Sequence, residues 1–154
     1  KTAYEIVDCD WSSDVCSSDL TYMVEIRERA RSQGYVQTLL GRRRRIPELS
    51  ASNGALRAAG ERMAINMPIQ GTAADIMKIA MIRLHDRLRE ERSPARILLS
   101  VHDEVVLEVP RELVAPVAAL VREVMEGALH LDVPLLVEVK SGDDWESMSP
   151  IPRA

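Results

Sequence analysis

Ser100-Val101-His102-Asp103-Glu104-Val105-Val106 sets a histidine and two carboxylates between two apolar, β-branched runs. Ile97-Leu98-Leu99-Ser100-Val101 and Val105-Val106-Leu107-Glu108-Val109 read as buried strands, with Pro110 closing the second, so His102-Asp103-Glu104 falls where a tight hairpin turns. Carboxylates at the rigid end of a sheet suit a hard divalent cation. Mg²⁺ prefers oxygen ligands and commonly takes one or two carboxylates with water and substrate phosphates. A hairpin with a merely solvated polar tip has the same signature, and on these residues alone the two readings stand level.

A second set lies upstream. Arg62, Asn66 and Gln70 recur every four residues, which puts them on one side of a helix. All three donate hydrogen bonds, and a row of donors matches the acceptors that every base pair presents in the minor groove. For any one of them a solvated helix face, or a cap around Pro68, is the plainer account. Their joint spacing ahead of a carboxylate hairpin favours a duplex. The formal net charge of -4 conceals a basic face, because Arg42-Arg43-Arg44-Arg45 is uninterrupted and follows Arg27, Arg29 and Arg31.

The elements that must position these groups follow from periodicity. Residues 22–32 read as a helix with Met23, Ile26 and Ala30 inward, stopped by Gly34. Residues 35–40 and 44–46 read as a hairpin turning at Gly41, with the arginines on its exposed arm. Ser50 or Ser52 is placed to cap a helix reaching about Asn66, which Pro68 must kink or break for want of an amide hydrogen. A long helix from Thr72 to about Arg92 carries Ile76, Ile79, Ala80, Leu84 and Leu88 on a face that Met77 and Met81 widen, implying deep packing against a sheet. Residues 111–129 form a third helix and residues 134–139 a last strand. The pattern is α+β, a small antiparallel sheet packed by long helices, without repeats or a dividing linker.

With 154 residues and 46% hydrophobic content, one domain with a real core is expected. No apolar run is long enough to span a bilayer and no signal-like segment opens the chain, so a cytoplasmic protein is expected. Residues 10–20, Asp-Trp-Ser-Ser-Asp-Val-Cys-Ser-Ser-Asp-Leu, fit neither neighbour. They translate one frame of a common short-read sequencing adapter and read as an artefact over residues 9–20, a natural Ser/Asp-rich loop being the alternative. Cys9 and Cys16 then lose meaning as a pair, and without Asp10, Asp14 and Asp19 the chain has 21 acidic against 20 basic residues.

Glu61-Arg62-Met63-Ala64-Ile65-Asn66-Met67-Pro68-Ile69-Gln70-Gly71-Thr72-Ala73-Ala74-Asp75, followed by Val101-His102-Asp103-Glu104, resembles the family A DNA polymerases of the bacterial polymerase I type. Gly34-Tyr35-Val36-Gln37-Thr38-Leu39-Leu40-Gly41-Arg42-Arg43-Arg44 and Gly142-Asp143-Asp144-Trp145 extend the likeness from about Tyr22 to Trp145. The resemblance implies that residues 1–8 are part of an upstream helix and residues 21–154 the palm with the base of the fingers. It implies template-directed nucleotidyl transfer from deoxynucleoside triphosphates to a primer 3′-hydroxyl, by an enzyme monomeric when intact. Asp103 would ligate two Mg²⁺ ions with Glu104 as a supporting acid. Arg62, Asn66, Gln70 and His102 would meet the primer-template minor groove, and Arg42, Arg43 and Arg44 the duplex backbone; Tyr35 and Asp75 would be structural. The family's first motif and the triphosphate-holding fingers helix have no counterpart in these residues, so the chain is expected to be inactive alone and poorly soluble. A non-catalytic duplex-binding module and a metal-dependent hydrolase are the alternatives; the hydrolase needs a further His or carboxylate cluster, which His85 and His130 do not supply.

Overall fold

The computed structural model describes residues 13–153, with side chains from Asp19 onward. The expected upstream helix at 1–8, and residues 9–12 of the adapter-like segment, lie outside the described residues. Helices α1 (Ser13–Gln33), α2 (Gly54–Glu90) and α3 (Val114–Glu126) are interleaved with antiparallel pairs. These pairs are β1 (Tyr35–Gln37) with β2 (Arg43–Arg45), β3 (Arg96–Val101) with β4 (Glu104–Glu108), and β5 (Lys140–Ser141) with β6 (Ser149–Pro150). The class is α+β, although among the described residues the single small sheet expected is three separate ladders. The chain forms two compact units, residues 1–75 and 76–154, whose border falls inside α2, where the sequence has no linker composition.

In the first unit, Ile26 and Ala30 of α1 pack with Val36, Ile46, Leu49, Ala64 and Met67. Helix α1 begins at Ser13, well before residue 22, so residues 13–20 are helical. It stops at Gly34, whose φ of 74° supplies the left-handed step that closes a helix, with the Gly34 amide donating to the Ala30 carbonyl. Gly41, at φ 83°, turns the chain between β1 and β2, which pair Val36 with Arg44. The N-cap of α2 is Asn53, not Ser50 or Ser52: its Oδ1 accepts from the amides of Ala55 and Leu56 at 2.8 and 3.4 Å.

Pro68 does not break α2, which runs through it for 37 residues. The neighbouring turn is served from outside the helix and from its own side chains. Tyr22 of α1 donates its hydroxyl to the Ile65 carbonyl at 3.1 Å, and the Thr72 hydroxyl donates to the Pro68 carbonyl. Burial in this contact raises the Tyr22 phenol above its ordinary value, partly opposed by the nearby charge of Arg29. The helix continues although Pro68 brings no amide hydrogen to the Ala64 carbonyl.

In the second unit, Leu84 and Leu88 of α2 pack with Val117, Leu120, Val121 and Val124 of α3, and Ile97 and Leu107 cover the cluster from the β3–β4 hairpin. The stripe on α2 was expected to meet a sheet; here it meets a helix as well. Residues 111–113 form one 3₁₀ turn before α3, which ends at Gly127. Residues 134–139 are not a strand. Their burial alternates as a strand's does, but a strand needs a neighbour for its ladder. Here the Val137 amide donates to Glu126 Oε1, and the Val139 carbonyl accepts from the Ile151 amide. No helix among the described residues is long and apolar enough to cross a membrane.

Candidate functional site

Strands β3 and β4 pair from Arg96↔Glu108 to Val101↔Glu104, leaving a two-residue turn, His102-Asp103. His102 sits at φ 54°, in the left-handed region where a side chain crowds its own backbone. Two-residue hairpin turns require such a φ at their first central position and ordinarily use glycine there. Histidine is among the residues that enter this region more readily than most, and Arg92, at φ 50°, shares it among the described residues. His102, Asp103 and Glu104 are all exposed, and among the described residues no hydrogen bond or ion pair engages the Asp103 carboxylate.

The two strands are less buried than their composition implies. The register slips between Ile97 and Leu99, so Leu98 is an extra residue that shifts the alternation of β3. Leu98 and Leu99 are 56% and 41% exposed as a result.

In the first unit, Arg62, Asn66 and Gln70 are exposed on α2 and line one groove of about 350 Å³ together with Arg44 of β2. Ala59, Met63 and Met67 form its apolar floor. The helical row and the basic hairpin, distant in sequence, thus make one surface of donors and cations. Arg44 Nη2 lies 3.5 Å from the Met63 sulfur, and the Arg43 guanidinium stacks 4.8 Å from the centre of the Tyr35 ring. Tyr35 therefore orients an arginine as well as filling the hairpin.

Arg42 differs from its neighbours. Its Nε donates to Asp75 Oδ1 at 2.8 Å and its Nη2 to the Gly71 carbonyl at 2.8 Å, so this guanidinium is turned onto α2. Asp75 is 8% exposed, Thr38 and Thr72 are also buried, and Thr72 Oγ1 accepts from the Leu39 amide at 3.0 Å. The sequence signal for this cluster was a pair of polar residues, Thr72 and Asp75, on the inward side of an otherwise apolar helix. Among the described residues no three His, Cys, Asp or Glu side chains come together so as to hold an ion.

The carboxylate turn belongs to one unit, and the donor-lined helix beside the basic hairpin to the other. Residues 16–147 match the model of DNA polymerase family A, and the chain belongs to that family. The match begins inside the Ser/Asp-rich segment. The chain is similar to the thermostable DNA polymerase I of Thermus thermophilus, 58% identical over 120 residues, which are 78% of this chain and 14% of that protein. It is 52% identical over 127 residues to DNA polymerase I of Pseudomonas aeruginosa, across 82% of this chain and 14% of the relative. Among solved structures it is similar to the POL domain of Pol1 from M. smegmatis in complex with DNA primer-template and dNTP, with a TM-score of 0.81 and 46% identity, over 84% of this chain and 23% of that one. The chain therefore spans about a seventh of the length of these DNA polymerase I relatives.

Proposed function

We propose that this chain is the palm portion, with the base of the fingers, of a DNA-directed DNA polymerase that extends a primer 3′-hydroxyl from deoxynucleoside triphosphates. The observation that carries this is Asp103 on a two-residue β-turn, in a chain of family A. A strand-borne turn holds a carboxylate with little freedom, as positioning chemistry demands. Glu104, the first residue of β4, supports it from the same ladder. Arg62, Asn66 and Gln70 would lie along the minor groove and read the geometry of a correct pair rather than its identity, since their acceptors are common to all pairs. Arg43 and Arg44 would meet phosphates, and His102 would approach the duplex from the turn.

The donor chemistry fits a hard divalent cation. Asp103 and Glu104 would supply oxygen ligands, and the remaining positions would fall to water, substrate phosphates and side chains outside the described residues. When bound, such ions supply charge neutralisation at the reacting phosphate and a lowered pKa at the attacking hydroxyl. The protein would act without a membrane, and the reading places it in the cytoplasm as a monomer.

The test is primer extension by the full polymerase that contains this chain. Asp103→Ala abolishes extension while primer-template binding persists; extension by that variant would overturn the reading. The 154-residue chain alone, in the same assay, incorporates no nucleotide.

A further inference from the structure

We infer that Arg42 is a positioning residue that acts through Asp75, docking the β1–β2 turn on α2 so that Arg44 lines the groove of Arg62, Asn66 and Gln70. This deepens the duplex-binding reading and rests on it. Three residue pairs make the β1–β2 ladder, too few to hold a hairpin in place unaided. Val36 and Ile46 anchor its strands in the apolar cluster, and the turn adds polar contacts that fix it on α2. The Thr38 amide donates to the Arg42 carbonyl at 2.9 Å, and the Arg42 amide donates back to Thr38 Oγ1 at 3.1 Å. The Leu39 amide reaches Thr72, and the Arg42 side chain spans Gly71 and Asp75.

The glycine confirms how close this approach is. A Cβ at Gly71 would stand 2.7 Å from Thr38 Cγ2 and 3.2 Å from Arg42 Nη2. Asp75 Oδ2 is buried and, among the described residues, has no hydrogen-bond partner, so Arg42 is the group that balances this charge. An arginine spent on a buried carboxylate is ill placed to neutralise a phosphate. Arg44, two residues on, faces the groove instead.

The signs of the electrostatic effects separate this role from its rivals. Removing the negative charge of Asp75 near a basic surface should tighten DNA binding if simple attraction ruled. Positioning requires the reverse. The experiment titrates a fluorescent primer-template duplex with the full polymerase that contains this chain, at several salt concentrations and below the unfolding transition of each variant as followed by circular dichroism. Asp75→Asn is expected to weaken binding roughly tenfold or more, the worth of one charge-assisted contact. It should also reduce the salt slope by about one, the signature of one lost phosphate neutralisation. In an Arg44→Ala background the same change should do nothing further, whereas a merely structural role would weaken both backgrounds alike. Tighter or unchanged binding by Asp75→Asn, or equal losses in both backgrounds, overturns the inference and leaves the duplex reading standing. Failure of the unaltered polymerase to bind duplex overturns both.

Discussion

At His102 the backbone and the side chain want different things. A left-handed φ of 54° costs a β-carbon residue about 1 kcal/mol or more, and glycine would remove that cost. Because His102 is exposed, its side chain contributes little packing to set against it. His102→Gly is therefore expected to raise the unfolding free energy by about 0.5–1 kcal/mol, glycine's extra unfolded freedom taking back part of the gain. Urea denaturation at unchanged m-value measures it; a destabilised variant would mean that the imidazole holds the hairpin together. The same variant should bind duplex less well, the usual exchange of stability for function. The residue types at this turn were legible from the sequence, but the positive φ was not. It follows from the register Val101↔Glu104, which only the pairing of two strands sets.

Helix α2 shows how elements override their own propensities. Gly71 sits mid-helix, where alanine is favoured by about 1 kcal/mol, and propensity alone recommends the replacement. Packing opposes it. The new methyl would meet Thr38, itself buried at 3% exposure and tied into the turn, and overpacking of this kind costs about 1–3 kcal/mol. Gly71→Ala should therefore lower stability by about 1 kcal/mol net, seen as a fall in melting temperature; a rise would show that the turn can yield. Pro68 is the reverse case: a kink or a break was expected from the residue itself, and the helix runs through it, with Tyr22 donating to the nearby Ile65 carbonyl. The Thr38–Gly71 and Tyr22–Ile65 contacts each join groups more than 30 positions apart in sequence, which periodicity does not register. The apolar faces of α1, α2 and α3, by contrast, were read correctly from spacing, since burial of a stripe needs only the helical repeat.

For the whole molecule, the question is what the apolar surface does. In the second unit Leu98, Leu99, Val133 and Leu136 are exposed, Leu136 to 65%. Surface leucines of this kind drive association and contribute little to the fold. The double change Leu98→Lys and Leu136→Lys is expected to reduce self-association in light scattering while shifting stability by no more than about 0.5 kcal/mol; a larger loss would place these side chains in the core. Family and fold class were both written in the sequence, because motif identity and spacing survive independently of how the chain closes. His102-Asp103-Glu104, the Arg62-Asn66-Gln70 row and the arginine run are all visible as text. What tertiary structure alone decided is which arginine faces what. Arg42, Arg43 and Arg44 are chemically identical neighbours, and their different partners, Asp75, Tyr35 and the donor groove, exist only once the hairpin docks on α2. A side chain's charge is a property of the residue, whereas its direction is a property of the packed backbone beneath it.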